Sequence, residues 1–375
     1  MSIKLKEVIT NKELKRFVDF QYDLYRNNEY WVPPLKKEEL FLLRRDKNPA
    51  FDFCETKYWL AYNNGNIAGR IAGIINHKFN DKFNKKTMRF GWIDFIDDEA
   101  VSSTLLNAVE EWAKEKGMNE IHGPLGFTDM DGEGTLIEGF DEVSILGALY
   151  NYPYYPKLIE KKGYAKDIDW VEYQVKMTSD PVPEKISRIA DIALKRNKLH
   201  VLRVKKAKEL LPYAREMFYL INESYQELYG FVELSDKQID MYVNQYFGFI
   251  KPEYVPIVLN EKNEMVAFGI TMPSLSEAFQ KAKGQLFPFG FIHILKAMKN
   301  NPGLDLYLTA VRPDMQDKGV NAILMNETNK LIIKNNIRVV ETNRELEDNS
   351  KVRAQWRFFE HRQHKRRRCY KKELT

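Results

Sequence analysis

The same order of elements occurs twice along this chain, and that repetition narrows the possible folds more than any single motif. Each half opens with helical spacing. In the first half it runs through Leu14, Phe17, Val18, Gln21, Leu24 and Tyr25, with Asn11 as the expected N-cap. In the second it runs through Ala207, Leu211, Ala214, Phe218, Ile221 and Tyr225, the helix proper starting near Pro212. A strand pair follows in each: 58–62 with 67–75 around Asn63-Asn64-Gly65-Asn66, and 255–259 with 265–271 around residues 260–263. Strand, helix and strand come next. The first set is 90–96, a helix carrying Val101, Leu105, Val109 and Trp112 that stops at Gly117, and 120–122. The second set is 304–311, 319–334 and 337–341. Each half ends in a helix and a tyrosine-bearing strand, 155–162 with 170–175 and 350–360 with 367–370. Two copies with little residue identity point to a structural duplication. The predicted class is α/β (α+β), two domains, each a mixed, mostly antiparallel central sheet flanked by helices.

The 375 residues suffice for two ordinary domains. The polar, proline-containing stretch Thr178-Ser179-Asp180-Pro181-Val182-Pro183-Glu184 predicts the boundary, giving domains 1–180 and 181–375. A hydrophobic fraction of 44% and an aromatic fraction of 13% let each half bury a core, and a net charge of +5 does not by itself imply a nucleic-acid partner. Cys54 and Cys369 form no CxxC pair, and the six histidines show no HExxH spacing, so no disulfide framework and no metal site are expected. The amino terminus is charged throughout, and no run of about 18 apolar residues occurs. A cytoplasmic protein without a membrane span is the expectation.

The order of elements resembles the plan of the GNAT acetyltransferases over nearly the whole chain. More specifically, the sequence looks like a family of bacterial proteins of about this length described only as GNAT-like. The residues that carry this are Trp31-Val32-Pro33-Pro34-Leu35, Asn48-Pro49-Ala50-Phe51, Gly123-Pro124, Glu138-Gly139-Phe140-Asp141, Pro153-Tyr154-Tyr155, Gly163-Tyr164 and Leu346-Glu347-Asp348-Asn349. The resemblance implies tandem GNAT folds. It says little about the reaction, because a fold does not fix a function.

In GNAT enzymes the loop between the fourth strand and the next helix binds the pyrophosphate of acetyl-CoA, with the pattern Gln/Arg-x-x-Gly-x-Gly/Ala. Small residues let backbone amides approach phosphate at a helix N-terminus. The first half has Asp94, Asp97, Asp98 and Glu99 there and no glycine from 94 to 104. Its carboxylates would repel a pyrophosphate. They read as complements to the helix start, and the first half is expected not to bind coenzyme A in the usual way. The second half has Gln316-Asp317-Lys318-Gly319-Val320-Asn321 after Val311 and Arg312, matching the pattern except at Asn321. A capped polar turn is the competing reading. These residues, with Asn349, form the candidate site for acetyl-CoA or another acyl-CoA.

Many GNAT enzymes use a strand Glu as general base and a last-helix Tyr as general acid. The resemblance places Trp356 where that Tyr would stand, and an indole N–H is not a usable acid. Asn349 also reads as a helix N-cap. Glu341 and Glu345 are the candidate bases; both need burial to raise their pKa, and a charged run such as 341–348 is otherwise solvated. The glycine-rich stretch 123–141 carries Asp129, Asp131, Glu133, Glu138 and Asp141; it reads either as a site for a cationic amine or metal, or as a solvated acidic loop. His122 reads as a packed strand-end residue. The aromatic stretch 279–298 packs on the sheet, covers an apolar pocket or touches membrane. The basic run 361–372 reads as an exposed strand with snorkelling side chains, against a nucleic-acid or anionic-lipid patch, so no specific nucleic acid is expected. Two functions stand at this point. One is an acyl-CoA-dependent N-acyltransferase acting on an unknown small-molecule acceptor. The other is a non-catalytic ligand-binding or regulatory protein on a degenerate GNAT scaffold.

Overall fold

The computed structural model describes residues 3–177, 184–248 and 250–374. The expected boundary at 178–184 therefore lies almost wholly outside the described residues. The first half contains β1 (Lys4–Glu7), α1 (Asn11–Leu24), α2 (Lys36–Leu42), β2 (Cys54–Asn63), β3 (Asn66–Asn76) and α3 (His77–Phe83). It continues through β4 (Thr87–Phe95), α4 (Glu99–Glu115), β5 (Glu120–Gly123), β6 (Thr135–Glu138), α5 (Tyr154–Lys161) and β7 (Ala165–Lys176). The second half contains α6 (Glu184–Arg196), β8 (His200–Val201), α7 (Leu211–Ser224), α8 (Asp236–Tyr246), β9 (Ile257–Leu259) and β10 (Met265–Pro273). After these come α9 (Ser276–Ala282), α10 (Gly290–Lys299), β11 (Gly303–Val311), α11 (Val320–Lys334), β12 (Val339–Glu341), β13 (Glu345–Leu346), α12 (Ser350–Arg353) and β14 (Glu360–Glu373).

Both predicted hairpins form. In the first, Asn64 (φ +50°) and Gly65 (φ +83°) supply the left-handed turn that joins β2 to β3. Three expectations need correction. The N-cap of α1 is Thr10 rather than Asn11: its hydroxyl accepts from Glu13 N while Glu13 returns to Thr10 N, a capping box. The helix expected over 350–360 shrinks to α12 and a 3-10 turn at Trp356–Phe358. Only Glu360 of that stretch joins the final strand, which starts there. Finally, β14 is no exposed strand; it lies in the middle of the sheet.

One continuous sheet runs through the molecule in the order β1-β2-β3-β4-β5-β14-β7-β12-β11-β10-β9-β8, with β6 added on β14 and β13 on β7. Pairing is antiparallel except at β4–β5 and β11–β12. The two halves exchange their last strands. β14, from the end of the chain, lies against β5 of the first half, and β7, from the first half, lies against β12 of the second. The exchanged strands pair with each other along their length. Helices cover both faces. α4 lies so close on β3 that a Cβ at Gly73 would sit 2.9 Å from the Trp112 ring. α6, amphipathic through Ile186, Ala190 and Ala193, packs on α11.

The exchange buries charge. Lys365 and Arg367 on β14 are fully buried against Glu172 on β7, Arg367 Nε donating to Glu172 and Lys365 Nζ lying 3.5 Å from it. Burial alone would raise the Glu172 pKa, but Arg367 and Lys365 outweigh it and hold the carboxyl at about 2. A basic run that reads as a solvated edge is here a central strand carrying its countercharge partners inside.

Candidate active site

β11 and β12 pair in parallel only from Gly303 to Asp305. Beyond that register the chain leaves β11 for β7: Thr342 N donates to Tyr173 O at 2.9 Å, and Thr342 Oγ1 accepts from Tyr173 N at 2.9 Å. The strands part. Residues 306–311 of β11 then border a cleft of about 1160 Å³. Among the described residues no strand pairs with that edge. The carbonyls of Tyr307, Thr309 and Val311 accept from side chains instead: Asn343 Nδ2 (2.9 Å), Tyr225 Oη (2.9 Å) and Ser224 Oγ (3.0 Å).

α11 opens onto the same cleft. A 3-10 turn at Pro313–Met315 leads to Asp317 (φ +59°) and Gly319 (φ +78°), which is the N-cap. A Cβ there would be strained and would press on Ala193 at 3.2 Å. Among the described residues no side chain caps the first amides of α11. An uncapped helix start has orphan donors and a positive dipole end, which suits an anion. Val311, Gln316, Asp317, Gly319, Val320 and Asn321 all border the cleft. Arg312 and Lys318 do not. Arg312 is held by Asp314 at 2.6 Å, and Lys318 Nζ lies 3.8 Å from Met315 Sδ. The Asn321 side chain, the one departure from the loop pattern, donates to Gln355 Oε1 at 2.9 Å.

The structure separates the two candidate bases. Glu345 borders the cleft and accepts from Trp356 Nε1 at 2.9 and 3.1 Å. Burial pushes its pKa up to about 7, with the Trp356 hydrogen bond pulling the other way. Glu341 does not border the cleft. It accepts from Gln174 Nε2 at 2.7 Å and lies 2.8 Å from His364 Nε2. Neither is the solvated carboxylate that a charged run suggests. Asn349 borders the cleft and caps α12, accepting from Val352 N at 3.3 Å.

The acidic loop of the first half reaches this second-half cleft. Asp129, Met130 and Glu133 line it, as does Arg344. Burial and the neighbouring Glu133 raise the Asp129 pKa well above the ordinary range. Burial pushes Asp131 and Glu133 up to about 6. Asp131 accepts from Phe127 N (2.8 Å) and Thr128 N (3.1 Å), which folds the loop, and Arg344 donates to Asp131 O at 3.3 Å. Arg344 Nη1 is 3.8 Å from Glu133. Glu138 and Asp141 lie outside the cleft: Glu138 sits 3.3 Å from Arg366, and Asp141 is exposed. Among the described residues no group of three or more His, Cys, Asp or Glu is placed to hold a metal ion.

The equivalent place in the first half is filled. Asp98 caps α4, accepting from Ala100 N at 2.8 Å and Val101 N at 3.4 Å. The end of β4 is plugged by aromatics: Phe95 N donates to Tyr155 Oη (3.0 Å), Tyr154 Oη donates to Phe95 O (2.7 Å), and the Phe95 and Tyr155 rings stack at 4.2 Å. His122, buried on β5, packs beside Phe79 at 5.1 Å; burial drives its pKa well below the ordinary value.

Sequence reasoning missed Trp170, Tyr229 and Arg344 in this cleft. Tyr225 and Tyr229 stand four apart at the end of α7, and only Tyr225 fell in the helical pattern. Arg344 lies inside the charged run that reads as solvent-facing.

No family model matches the sequence. Protein YghO of Escherichia coli (strain K12) is 28% identical over 299 residues, 79% of this chain and 74% of that protein. A bacterial ceramide synthase of Caulobacter vibrioides (strain NA1000 / CB15N) is 27% identical over 306 residues, 78% of this chain and 75% of that protein. Among solved structures, a tandem GNAT protein from the clavulanic acid biosynthesis pathway superposes over 100% of this chain and 99% of its own, with a TM-score of 0.57 at 10% identity. A GCN5-related N-acetyltransferase from Sphaerobacter thermophilus matches 99% of this chain and 96% of its own, with a TM-score of 0.52 at 10% identity. The chain has a tandem GNAT fold.

Proposed function

We propose that this tandem GNAT chain is an acyl-CoA-dependent N-acyltransferase whose single working cleft lies in the second half. The observation that carries the proposal is the opening of β11 from β12 beside the uncapped start of α11. The residues present fit coenzyme A: the α11 amides behind Gly319 suit a pyrophosphate, and the edge of β11 that borders the cleft, unpaired with a strand, suits the amides of a pantetheine arm. Bound there, an acyl-CoA supplies the activated acyl group.

The chain's own residues divide the rest of the work. Glu345, with a pKa near 7, accepts the proton that an attacking amine loses. Trp356 N–H holds that carboxylate in place. Asp129 and Glu133 offer carboxyls to the acceptor side, and Arg344 fixes their loop. Apolar residues Val175, Met177, Ile332, Val340 and Phe359 line another part of the cleft. They suit an acyl chain longer than acetyl. The name of the Caulobacter relative supports the same reaction class, since a ceramide is an amide of a long-chain amino alcohol.

A second reading, a binding protein without turnover, is favoured by Trp356. It stands where the resemblance puts a phenolic acid, and an indole N–H cannot protonate the departing thiolate. Thermal unfolding with coenzyme A, followed by thiol release, tests both. The expected result is a higher Tm at saturating coenzyme, on the order of 2.7 kcal/mol of stabilisation at a hundredfold excess over Kd, abolished in Gly319→Asp. No rise at millimolar coenzyme would overturn the acyl-CoA proposal. A rise without acyl-CoA-dependent thiol release across a panel of amines would establish the binding reading instead.

A further inference from the structure

We propose that the α9–α10 hairpin docks the protein on the surface of an anionic lipid bilayer. Residues 283–289 join α9 to α10, and their tip carries Phe287 and Phe289, 70% and 69% exposed. Leu295 and Ile292 on α10 add exposures of 63% and 50%. Four large apolar side chains on one short element, all facing water, form a patch that calls for a partner.

Helical spacing explains the arrangement. Gly290 and Ile294 face inward, with Ala297 and Met298 packed beside Leu275, Ala278 and Phe279. Ile292, Leu295, Lys296 and Lys299, at i, i+3, i+4 and i+7, make the outward face. The inward face is fully used, so the outward apolar residues are not surplus core.

The charge on this element chooses the occupant. From 278 to 304 the chain has Lys281, Lys283, Lys296 and Lys299 and no carboxylate. All four lysines are exposed. Lys281 is paired with Glu277 at 3.3 Å, whereas no ion pair holds Lys283, Lys296 or Lys299 among the described residues. Phenylalanine and leucine beside unpaired lysines match the interface between acyl chains and anionic headgroups. No described helix is long and apolar enough to cross a membrane, so the element lies on the surface.

The support beneath it is firm. Gln280 Nε2 donates to Glu29 O (2.7 Å) and Trp31 O (3.1 Å), Ser276 Oγ to Ser144 O (2.8 Å), and Lys36 N to Gly284 O (3.0 Å). The hairpin therefore grips the first half while hanging from β10 and β11, whose Gly269, Thr271, Leu306 and Leu308 border the cleft. Docking would hold that cleft at a fixed place relative to the bilayer.

Cosedimentation of the full chain with vesicles tests this without any substrate. Vesicles of phosphatidylcholine with phosphatidylglycerol should bind on the order of a hundredfold more tightly than phosphatidylcholine alone, the order that three lysines give near an anionic surface, and added salt should weaken the binding. Combining Phe287→Ser, Phe289→Ser and Leu295→Ser should abolish binding while leaving circular dichroism and Tm unchanged, because these side chains are exposed. Absence of binding to the anionic vesicles, or undiminished binding by the triple variant, would overturn the proposal. So would self-association of the unmodified chain, seen by light scattering, that the triple variant reverses without any vesicle binding; the patch would then cover a second copy.

Discussion

The starts of α4 and α11 occupy the same place in the two halves and have opposite local chemistry. At α4 the carboxylate of Asp98 takes the first amides, and Tyr154 and Tyr155 occupy the end of β4. At α11 a glycine in the left-handed region starts the helix, no described side chain caps it, and β11 parts from its neighbour over a large cleft. In the first half the helix start serves its own capping. That half lends its loop at 129–133 to the cleft of the other half and exchanges a strand with it. Under the proposed function the pair has one working site and a structural partner, and the chemical difference between the two helix starts sets that division.

The largest test separates the halves physically. Residues 1–177 and 184–375, made apart, should each lack a cooperative unfolding transition, because each sheet loses its central neighbour. Glu172 would also lose Arg367 and Lys365, the charges that balance it inside the sheet. Mixing the two pieces should restore a single transition. Cooperative unfolding of either piece alone, followed by calorimetry, would show that the exchange is decorative.

A smaller effect is expected at Glu345. Glu345→Gln should lower kcat by about 100-fold or more. In the unmodified protein kcat should fall as pH drops through about 7, since the proposed base must be ionised. Trp356→Phe removes a donor that favours the carboxylate, so that limb should move to higher pH by roughly one. The sign for stability is opposite to that of an ordinary paired carboxylate. The folded Glu345 holds a proton that the unfolded chain has already lost, so the site weakens the fold as pH rises toward 7. Glu345→Gln should remove that decline. A pH profile unmoved by either substitution would take the base role away from Glu345.

Much of the fold was legible because it rests on local periodicity. The hairpins around Asn64-Gly65 and 260–263 and the apolar face of α4 are written in spacing and turn residues. The strand exchange was not, because a strand's sequence does not name its neighbour. Lys365 and Arg367 read as surface since their partner Glu172 lies almost two hundred positions away. The glycine at the start of α11 was legible as a small residue after a strand. The burial of Glu345 was not, because it depends on Trp356 folding back from a helix that turned out much shorter than its spacing suggested.

The smallest expected effect lies at the start of α4. If its carboxylates serve only the helix, Asp97→Ala with Asp98→Ala should lower stability by about 1 kcal/mol, the usual worth of an N-cap, and should leave the coenzyme-induced rise in Tm unchanged. Asp98 Oδ1 accepts from two amides, Ala100 N and Val101 N, and alanine offers neither bond. Removing negative charge also removes the repulsion expected against a pyrophosphate. If repulsion alone kept coenzyme out of the first half, the double variant would gain a second, weaker binding event by calorimetry. The Tyr154–Tyr155–Phe95 plug argues that it will not, because the rings occupy the end of β4 whatever charge stands beside them. One binding event per chain in both proteins is the expected result. A second event in the variant would mean that charge, not packing, closes the first half, and a lost event would mean that coenzyme sits in the first half after all.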